Sequence, residues 1–556
     1  MTQKFIKKQV CDKHNFSILL LSMLFISCSL KSNSQPNDAK EFFSTLSMAE
    51  SKMQNKDWSD AAILWGQLAE TNPVNGKFWL NEATSYYNNA NYDKAIPAYL
   101  KTYELNYGIV PNVLYNIACC YALSGNKQLA VDYLQKAFEK GFANVANAQT
   151  DKDLLSLHDN PVFKKMTGFD DVTKMGRIEG WHYDLAFLQK EVHRKAYLSR
   201  NLDLSKFDLQ LQEIYTLAEK KTDMQLDLEL VKLMTQLGDG HSAVERINNE
   251  LLKVALPVAF YFFKEGLYIT AAQAPYKDII GKKVILFAGK TPVQIMEAFK
   301  PYVSRDNEMG LLNNTPYFLR NATALYVLGL LPEANKVNLQ LADKNGNVSN
   351  VIVTSEKIQP VRPDIFNLLP PDWINFSTVS GIKPPLYLKN TGSNYWFETI
   401  TGTKTIYFQF NKILNDKEES LNQFTDRLMQ EVNSNKTENL IIDLRGNNGG
   451  NTMLLPYLTT SIFHNQKLNQ KGRLFVIIGR KTFSAAQNFA TFLERWTPAI
   501  FVGEPTGSSP NFVGEEIFLI LPYSKVTINV SNLFWQSSWP QDQRKWIAPL
   551  IYTTFV

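Results

Sequence analysis

The chain has 556 residues, of which 45% are hydrophobic and 20% charged. That balance buries substantial cores and argues against disordered, collagen-like and disulfide-scaffold classes, and the length fits about three or four domains. The net charge of +5 is too small over this length for a nucleic-acid footprint, so no nucleic-acid partner is expected.

Lys4, Lys7, Lys8 and Lys13 precede an apolar run from Phe16 to Ile26 that ends at Ser27-Cys28. A basic stretch, a short apolar core and a small residue before the cut make a secretory signal. The run is too short to span a bilayer core of about 30 Å as a helix. A cysteine directly after the small residue resembles a bacterial lipoprotein signal. That implies removal of residues 1–27, lipidation of Cys28, and a place in the cell envelope anchored to the outer membrane. Ordinary signal cleavage is the alternative. Residues 28–40, rich in Ser, Asn, Lys and Pro, read as a tether. Beyond Cys28, only the adjacent Cys119 and Cys120 remain, so no disulfide framework is expected. The six histidines, at 14, 158, 182, 193, 241 and 464, lack close ligand spacing; neither a metal nor a cofactor is expected.

Residues 41–150 repeat themselves. Trp58, Ala61 and Trp65 recur 34 positions later as Tyr92, Ala95 and Tyr99, and Ala83, Tyr86 and Ala95 recur after 35 as Ala118, Tyr121 and Ala130. This period, with small and aromatic positions in helical spacing, is the mark of tetratricopeptide repeats. Such a stack offers a face for a protein partner, or serves as a spacer. From 175 to 255 the pattern stays helical, with Leu226, Leu230, Leu233 and Leu237 on one face. Gly238 ends that helix, and Asp239-Gly240-His241-Ser242 follows.

Residues 256–355 change to short strand-like runs at 268–270, 283–287 and 337–341. The run from Gly281 to Pro292 resembles the core of PDZ domains, which bind an extended chain as an added strand; a different small β domain is the alternative. From 356 to 556 strands alternate with helices. Residues 405–410 alternate in polarity, whereas 440–444 and 474–478 are continuous apolar runs of the kind buried parallel strands show.

Two strand ends carry chemistry. The first run leads into Arg445-Gly446-Asn447-Asn448-Gly449-Gly450-Asn451, where glycines allow close backbone approach and aim N–H groups at a ligand. A plain tight turn is the alternative, and the spacing does not fit a dinucleotide loop. The second leads through Thr482-Phe483-Ser484 into Ala485-Ala486, which places Ser484 at a strand-to-helix turn. There it either presents its hydroxyl beside helical N–H groups that stabilise an oxyanion or simply caps the helix.

The order Asp-Gly-His-Ser, PDZ-like unit, Leu-Ile-Ile-Asp-Leu-Arg-Gly-Asn-x-Gly-Gly-Asn, Thr-Phe-Ser-Ala-Ala, over residues 175–556, resembles the C-terminal processing and tricorn-like serine peptidase family. Gly503-Glu504-Pro505-Thr506-Gly507 and Arg544-Lys545-Trp546-Ile547-Ala548-Pro549 look like its later motifs. The resemblance implies a multidomain fold: all-α tetratricopeptide repeats, a helical segment, a PDZ-like β domain and an α/β crotonase-like (ββα) peptidase core. It implies Ser484 as nucleophile, with Gly449 or Gly450 and the Ala485 N–H as oxyanion hole. One branch of the family uses a lysine base, but no Lys lies between Lys481 and Lys525. The other uses a histidine in Asp-Gly-His, which His241 matches, and imidazole chemistry suits the role. A purely structural His241 is the alternative. Asp542 is the nearest match to the family's orienting carboxylate, or else a surface acid. Leu550 follows Pro549 where the family usually has Asp, and the chain stops at Val556, sooner than its members often do.

The expected function is a serine endopeptidase of the bacterial cell envelope acting on peptide or protein substrates. The rival is an inactive peptidase-fold scaffold that binds peptides or protein partners. Acyl-CoA chemistry on the same core fits less well, since nothing recommends a nucleotide pocket.

Overall fold

A computed structural model describes residues 36–142, 144–168, 172–196, 204–246, 254–357, 373–434 and 436–552. The signal segment 1–27 and Cys28 lie outside them. The chain divides into two compact units, one ending at Val113 and one beginning at Leu114.

The first unit holds helices α1 (Pro36–Gln54), α2 (Trp58–Thr71), α3 (Gly76–Asn88) and α4 (Tyr92–Glu104). Residues 36–40, expected in the tether, already belong to α1. Consecutive helices pack against each other, and the repeat positions explain why. Ala61, Ala83 and Ala95 are fully buried, which lets the backbones approach, and Trp65 and Tyr99 fill the space left between them. The Trp65 and Phe78 rings lie 5.9 Å apart. Helices α5 (Val110–Leu123) and α6 (Lys127–Glu139) continue the pattern with Ala118 and Ala130 buried. Cys119 and Cys120 are buried free thiols on α5.

Within the second unit, α6 is tied to α7 (Arg177–Lys195). Arg194 donates to the carbonyls of Phe138 (2.8 Å) and Phe142 (3.1 Å) and lies over the Phe138 ring. Helices α8 (Ser205–Leu217) and α9 (Asp223–Met234) follow. A capping box of Thr222 and Gln225 starts α9, and a short 3-10 turn carries it to Gly238. Strand β1 (Ala243–Arg246) comes next.

The middle of the chain forms an antiparallel sheet in chain order: β2 (Val258–Phe263), β3 (Gly266–Ala272), β4 (Lys283–Phe287), β5 (Lys336–Ala342) and β6 (Val348–Thr354). Between β4 and β5 lie α10 (Pro292–Phe299) and α11 (Glu308–Phe318). Val284, Phe287, Ile295, Phe299 and Leu339 share one core here.

The C-terminal part contains β7 (Tyr395–Thr399), β8 (Thr405–Phe410), α12 (Leu421–Asn433), β9 (Asn439–Asp443), α13 (Leu455–His464), β10 (Leu474–Ile478), α14 (Ala485–Trp496), β11 (Ile500–Gly503), β12 (Asn511–Ile520), β13 (Thr527–Gln536) and β14 (Ile551–Tyr552). Its main sheet has the order β7-β8-β9-β10-β11-β14, antiparallel in the first pair and parallel in the rest. Strand β8, whose residues alternate in polarity, is buried on both faces. Phe408 and Phe410 enter the helix-side core with Phe424 and Phe489. On the other face, Tyr407 Oη donates to Asp443 (2.6 Å) and Gln409 donates to the Tyr387 carbonyl (2.8 Å). The polar side chains are satisfied internally, so they need no solvent.

A second, three-stranded sheet has the order β1-β13-β12. It places Ala243 opposite Asn529 and so delivers the Asp-Gly-His turn to the C-terminal part. Asp184 of α7 braces this sheet by accepting the N–H groups of Tyr523 (2.6 Å) and Ser524 (2.8 Å), in the turn between β12 and β13.

Candidate active site

Strands β9, β10 and β11 are parallel neighbours, so the loops that follow them emerge at one edge of the sheet. Ligand sites of open α/β sheets sit at that carboxyl edge. Thr482 knits the three loops together. Its hydroxyl accepts from Gly479 N–H (3.0 Å) and donates to the Leu444 carbonyl (2.9 Å), and its own carbonyl accepts from Gly507 N–H (3.0 Å). The buried Arg480–Glu504 pair adds a fork of 2.9 and 2.6 Å, and Arg480 also donates to the Phe262 carbonyl of β2 (2.8 Å). Neither Thr482 nor Arg480 was singled out from sequence; nothing local marks a residue whose partners lie in other loops.

Ser484 stands between β10 and α14 with φ +52° and ψ −127°, and its hydroxyl makes no capping bond to the helix. The capping alternative is therefore not what the side chain does. This backbone shape is the first central position of a type II′ turn, where a residue with a Cβ is strained by about 1–3 kcal/mol. Gly449 explains how the loop tolerates it. A Cβ there would lie 2.8 Å from the Ser484 Cβ and 3.1 Å from the Ala485 nitrogen, so only glycine allows the two loops to meet.

Asn447 shapes the glycine loop: it accepts from Gly449 N–H through Oδ1 (2.8 Å), donates to the Phe410 carbonyl (2.9 Å) and accepts from Phe483 N–H through its own carbonyl (3.3 Å). The Gly449 N–H is thus engaged. Among the described residues, the N–H groups of Gly450 and Ala485 have no protein acceptor. The structure separates the two glycines that the sequence left equivalent.

His241 is 6% exposed and lies between two rings, Phe483 at 4.4 Å and Phe512 at 5.6 Å, both roughly parallel to it. Phe483 directly precedes Ser484, so the histidine from one end of the unit rests against the serine turn from the other. A side chain at Gly514 would come within 3.4 Å of Nε2, leaving the strand backbone as the third wall. Neither ring nitrogen has a hydrogen-bond partner of good geometry. Burial lowers its pKa to about 4, with a smaller opposing pull from the Val513 backbone; the ring is neutral at physiological pH.

The turn that carries His241 is held by two acids that sequence inspection left without a role. Asp239 accepts from the N–H groups of His241 (2.9 Å) and Ser242 (2.6 Å) and from the Ser531 hydroxyl (2.8 Å). Its carboxyl is pushed up by burial. Asp306, from the middle of the chain, accepts from Gly240 N–H (2.6 Å) and from the Ser508 hydroxyl.

Asp542, expected to orient His241, has other partners. Arg544 donates to both of its carboxylate oxygens, and Ser538 donates at 2.6 Å. Arg544 is fixed in turn by a bidentate pair with Glu494 (2.8 and 2.7 Å). The side-chain bonds from Arg544 hold the Asp542 carboxyl well below the usual range. A guanidinium is a stronger partner for a carboxylate than a neutral imidazole, and in this structure the Asp542 carboxylate bonds Arg544 and Ser538, while the His241 ring nitrogens have no hydrogen-bond partner. Among the described residues one grouping has metal-like proximity, Cys119 with Asp151 and Asp153. Tyr115 and Asn147 already bond Asp151 there, and none of these residues belongs to the Ser484 site.

Residues 46–112 and 80–143 match the tetratricopeptide repeat family model. The N-terminal helices are tetratricopeptide repeats. No curated protein matches the sequence. Among solved structures, mature CPAF complexed with lactacystin aligns with a TM-score of 0.51 and 14% identity, covering 68% of this chain and 94% of that one. A second structure of mature CPAF gives 0.50 and 14% over 68% and 93%. The second part of the chain shares their fold. The photosystem II D1 C-terminal processing protease aligns over 68% of this chain and 94% of its own at 12% identity, with a TM-score of 0.34. The architecture is thus tetratricopeptide repeats followed by an α/β core with the fold of mature CPAF.

Proposed function

We propose that this protein is a serine endopeptidase that cleaves peptide or protein substrates through an acyl-enzyme. The observation that carries the reading is Ser484 itself: a strained strand-to-helix position, a hydroxyl unused as a cap, and His241 packed on the preceding ring. Ser484 Oγ attacks the scissile carbonyl while His241, neutral at working pH, takes its proton. The N–H groups of Ala485 and Gly450 receive the negative oxygen of the tetrahedral intermediate. His241 then protonates the leaving amine, and water hydrolyses the ester by the same route reversed. Hydroxyl and imidazole come within hydrogen-bond reach as substrate binds, a tightening common to such sites. The repeats recruit a protein partner, the sheet of β2–β6 is a PDZ-like unit that holds a substrate strand, and Cys28 anchors the protein by lipid to the outer membrane.

Fluorophosphonate labelling of the full chain tests the chemistry. Ser484→Ala abolishes labelling, and His241→Ala slows it by about 10²–10⁴-fold. Labelling that persists in Ser484→Ala refutes the assignment. The inactive-scaffold reading draws on one observation, the His241 ring without a carboxylate partner. A folded wild-type protein that stays unlabelled with candidate peptides present favours it. Release of the protein from membranes by Cys28→Ala checks the anchor.

A further inference from the structure

Asp306 lies roughly 180 residues before Ser484 in sequence, yet it joins the two halves of the site. It lines a cleft of about 390 Å³ together with Gln236, Lys300, Arg305, Glu308 and Lys545. One carboxylate oxygen accepts from the N–H of Gly240, the residue before His241, at 2.6 Å. The other accepts from the hydroxyl of Ser508, in the loop after β11. Asn307 secures the same junction, donating to the carbonyls of Thr506 (3.1 Å) and Lys545 (2.6 Å) while capping α11.

The histidine turn has few other holds on the serine side. Asp239 braces it only against β13, through Ser531. Stacking between Phe483 and Phe512 fixes the plane of the ring but does not hold the backbone that carries it. The carboxylate is also an unfavourable choice for mere filling: burial, with Asp239 nearby, pushes Asp306 up to about 7. An acid kept at such a position has a geometric task there, since either protonation state can accept the Gly240 N–H.

We infer that Asp306 is a positioning residue for His241, a strap from the middle domain that fixes the Asp239–His241 turn to the Thr506–Ser508 loop and so sets the imidazole relative to Ser484. The inference rests on the Ser484–His241 reading for its catalytic meaning, but its geometric content stands apart. Two readouts on the full chain separate the two. The first is the fluorophosphonate labelling rate at Ser484. The second is the His241 ring-proton signal in ¹³C-histidine-labelled protein, assigned by its loss in His241→Ala; the flanking Phe483 and Phe512 rings make that signal sensitive to small displacements.

Asp306→Ala lowers the labelling rate at least tenfold and moves the His241 signal. Asp306→Asn, whose amide oxygen can still accept from Gly240 and whose –NH₂ faces Ser508, keeps both within threefold of wild type and near the wild-type position. Ser508→Ala removes only the core-side bond, moves the signal in the same direction as Asp306→Ala, and decides the matter should Asp306→Ala fail to fold. An unmoved His241 signal in Asp306→Ala or in Ser508→Ala overturns the inference, as does an Asp306→Asn variant as impaired as the alanine. Absence of labelling in the wild type sinks the peptidase reading alone, and the histidine signal still tests the strap.

Discussion

Ser484→Gly and Ser484→Ala together test whether the serine occupies a strained nucleophile turn or a helix cap. At φ +52°, ψ −127° a side chain costs about 1–3 kcal/mol that glycine does not incur. Glycine returns about 0.5–1 kcal/mol of that through the greater entropy of its unfolded chain. The expected net gain for Ser484→Gly is therefore about 1 kcal/mol. Alanine keeps the strain and loses only a hydroxyl that bonds nothing in the helix, so Ser484→Ala changes stability by less than about 0.5 kcal/mol. With an unfolding entropy of about 2.1 cal/mol/K per residue, a unit of this size shifts by about 1 °C per kcal/mol. Replicate differential scanning calorimetry on the full chain, following the transition of the second unit, resolves that difference, and denaturant midpoints give an independent measure. A cap makes the opposite forecast: about 1 kcal/mol lost in Ser484→Ala and only a few tenths in Ser484→Gly. An alanine variant that melts lower than wild type while glycine gains nothing refutes the strained-turn account and removes the main support for a nucleophile.

The low pKa of His241 sets a pH profile. Its base form persists down to about pH 4, so labelling of Ser484 stays flat from pH 8 to 6 and falls only as pH drops through about 4. A midpoint near 6.5 would show a ring that is solvated in the reactive state. The same shift makes the histidine's share of stability present above pH 6.5 and lost below it, as folded protein resists the proton that the unfolded chain accepts. Asp542→Asn leaves the labelling rate within threefold of wild type, because Arg544 and Ser538 hold its carboxylate; a hundredfold loss would restore its orienting role. Glu504→Gln strands the buried Arg480 charge and costs about 3–5 kcal/mol by denaturant unfolding, whereas Arg480→Met with Glu504→Leu recovers most of it; equal losses in single and double variants would show that the pair contributes through packing alone.

Much of this molecule is legible in its residues because the signals are local. The 34-residue spacing of Ala61, Ala95 and their aromatic companions is a packing requirement repeated along the chain, and the buried alanines follow from it directly. The apolar runs at 440–444 and 474–478 are buried strands because parallel strands covered on both faces have no polar side to show. Ser484 stands at a strand-to-helix turn for the same local reason. What the tertiary structure decided is long-range. β1 pairs with β13 across some 285 residues and brings His241 against Phe483, the residue before Ser484, a meeting that no spacing encodes. Gly449 and Gly450 read alike until the side chain of Asn447 takes one N–H and leaves the other. Asp542 matched an orienting acid by position, and Arg544 claims it through a contact that only the folded loop makes. Asp306 carries no motif at all, since a hydrogen bond to a backbone N–H constrains where a carboxylate sits and not what surrounds it in sequence. Periodicity and polarity are properties of one segment and survive in the one-dimensional record. Partner choice among buried polar groups depends on which segments the fold brings within about 3 Å, and that is settled only in three dimensions.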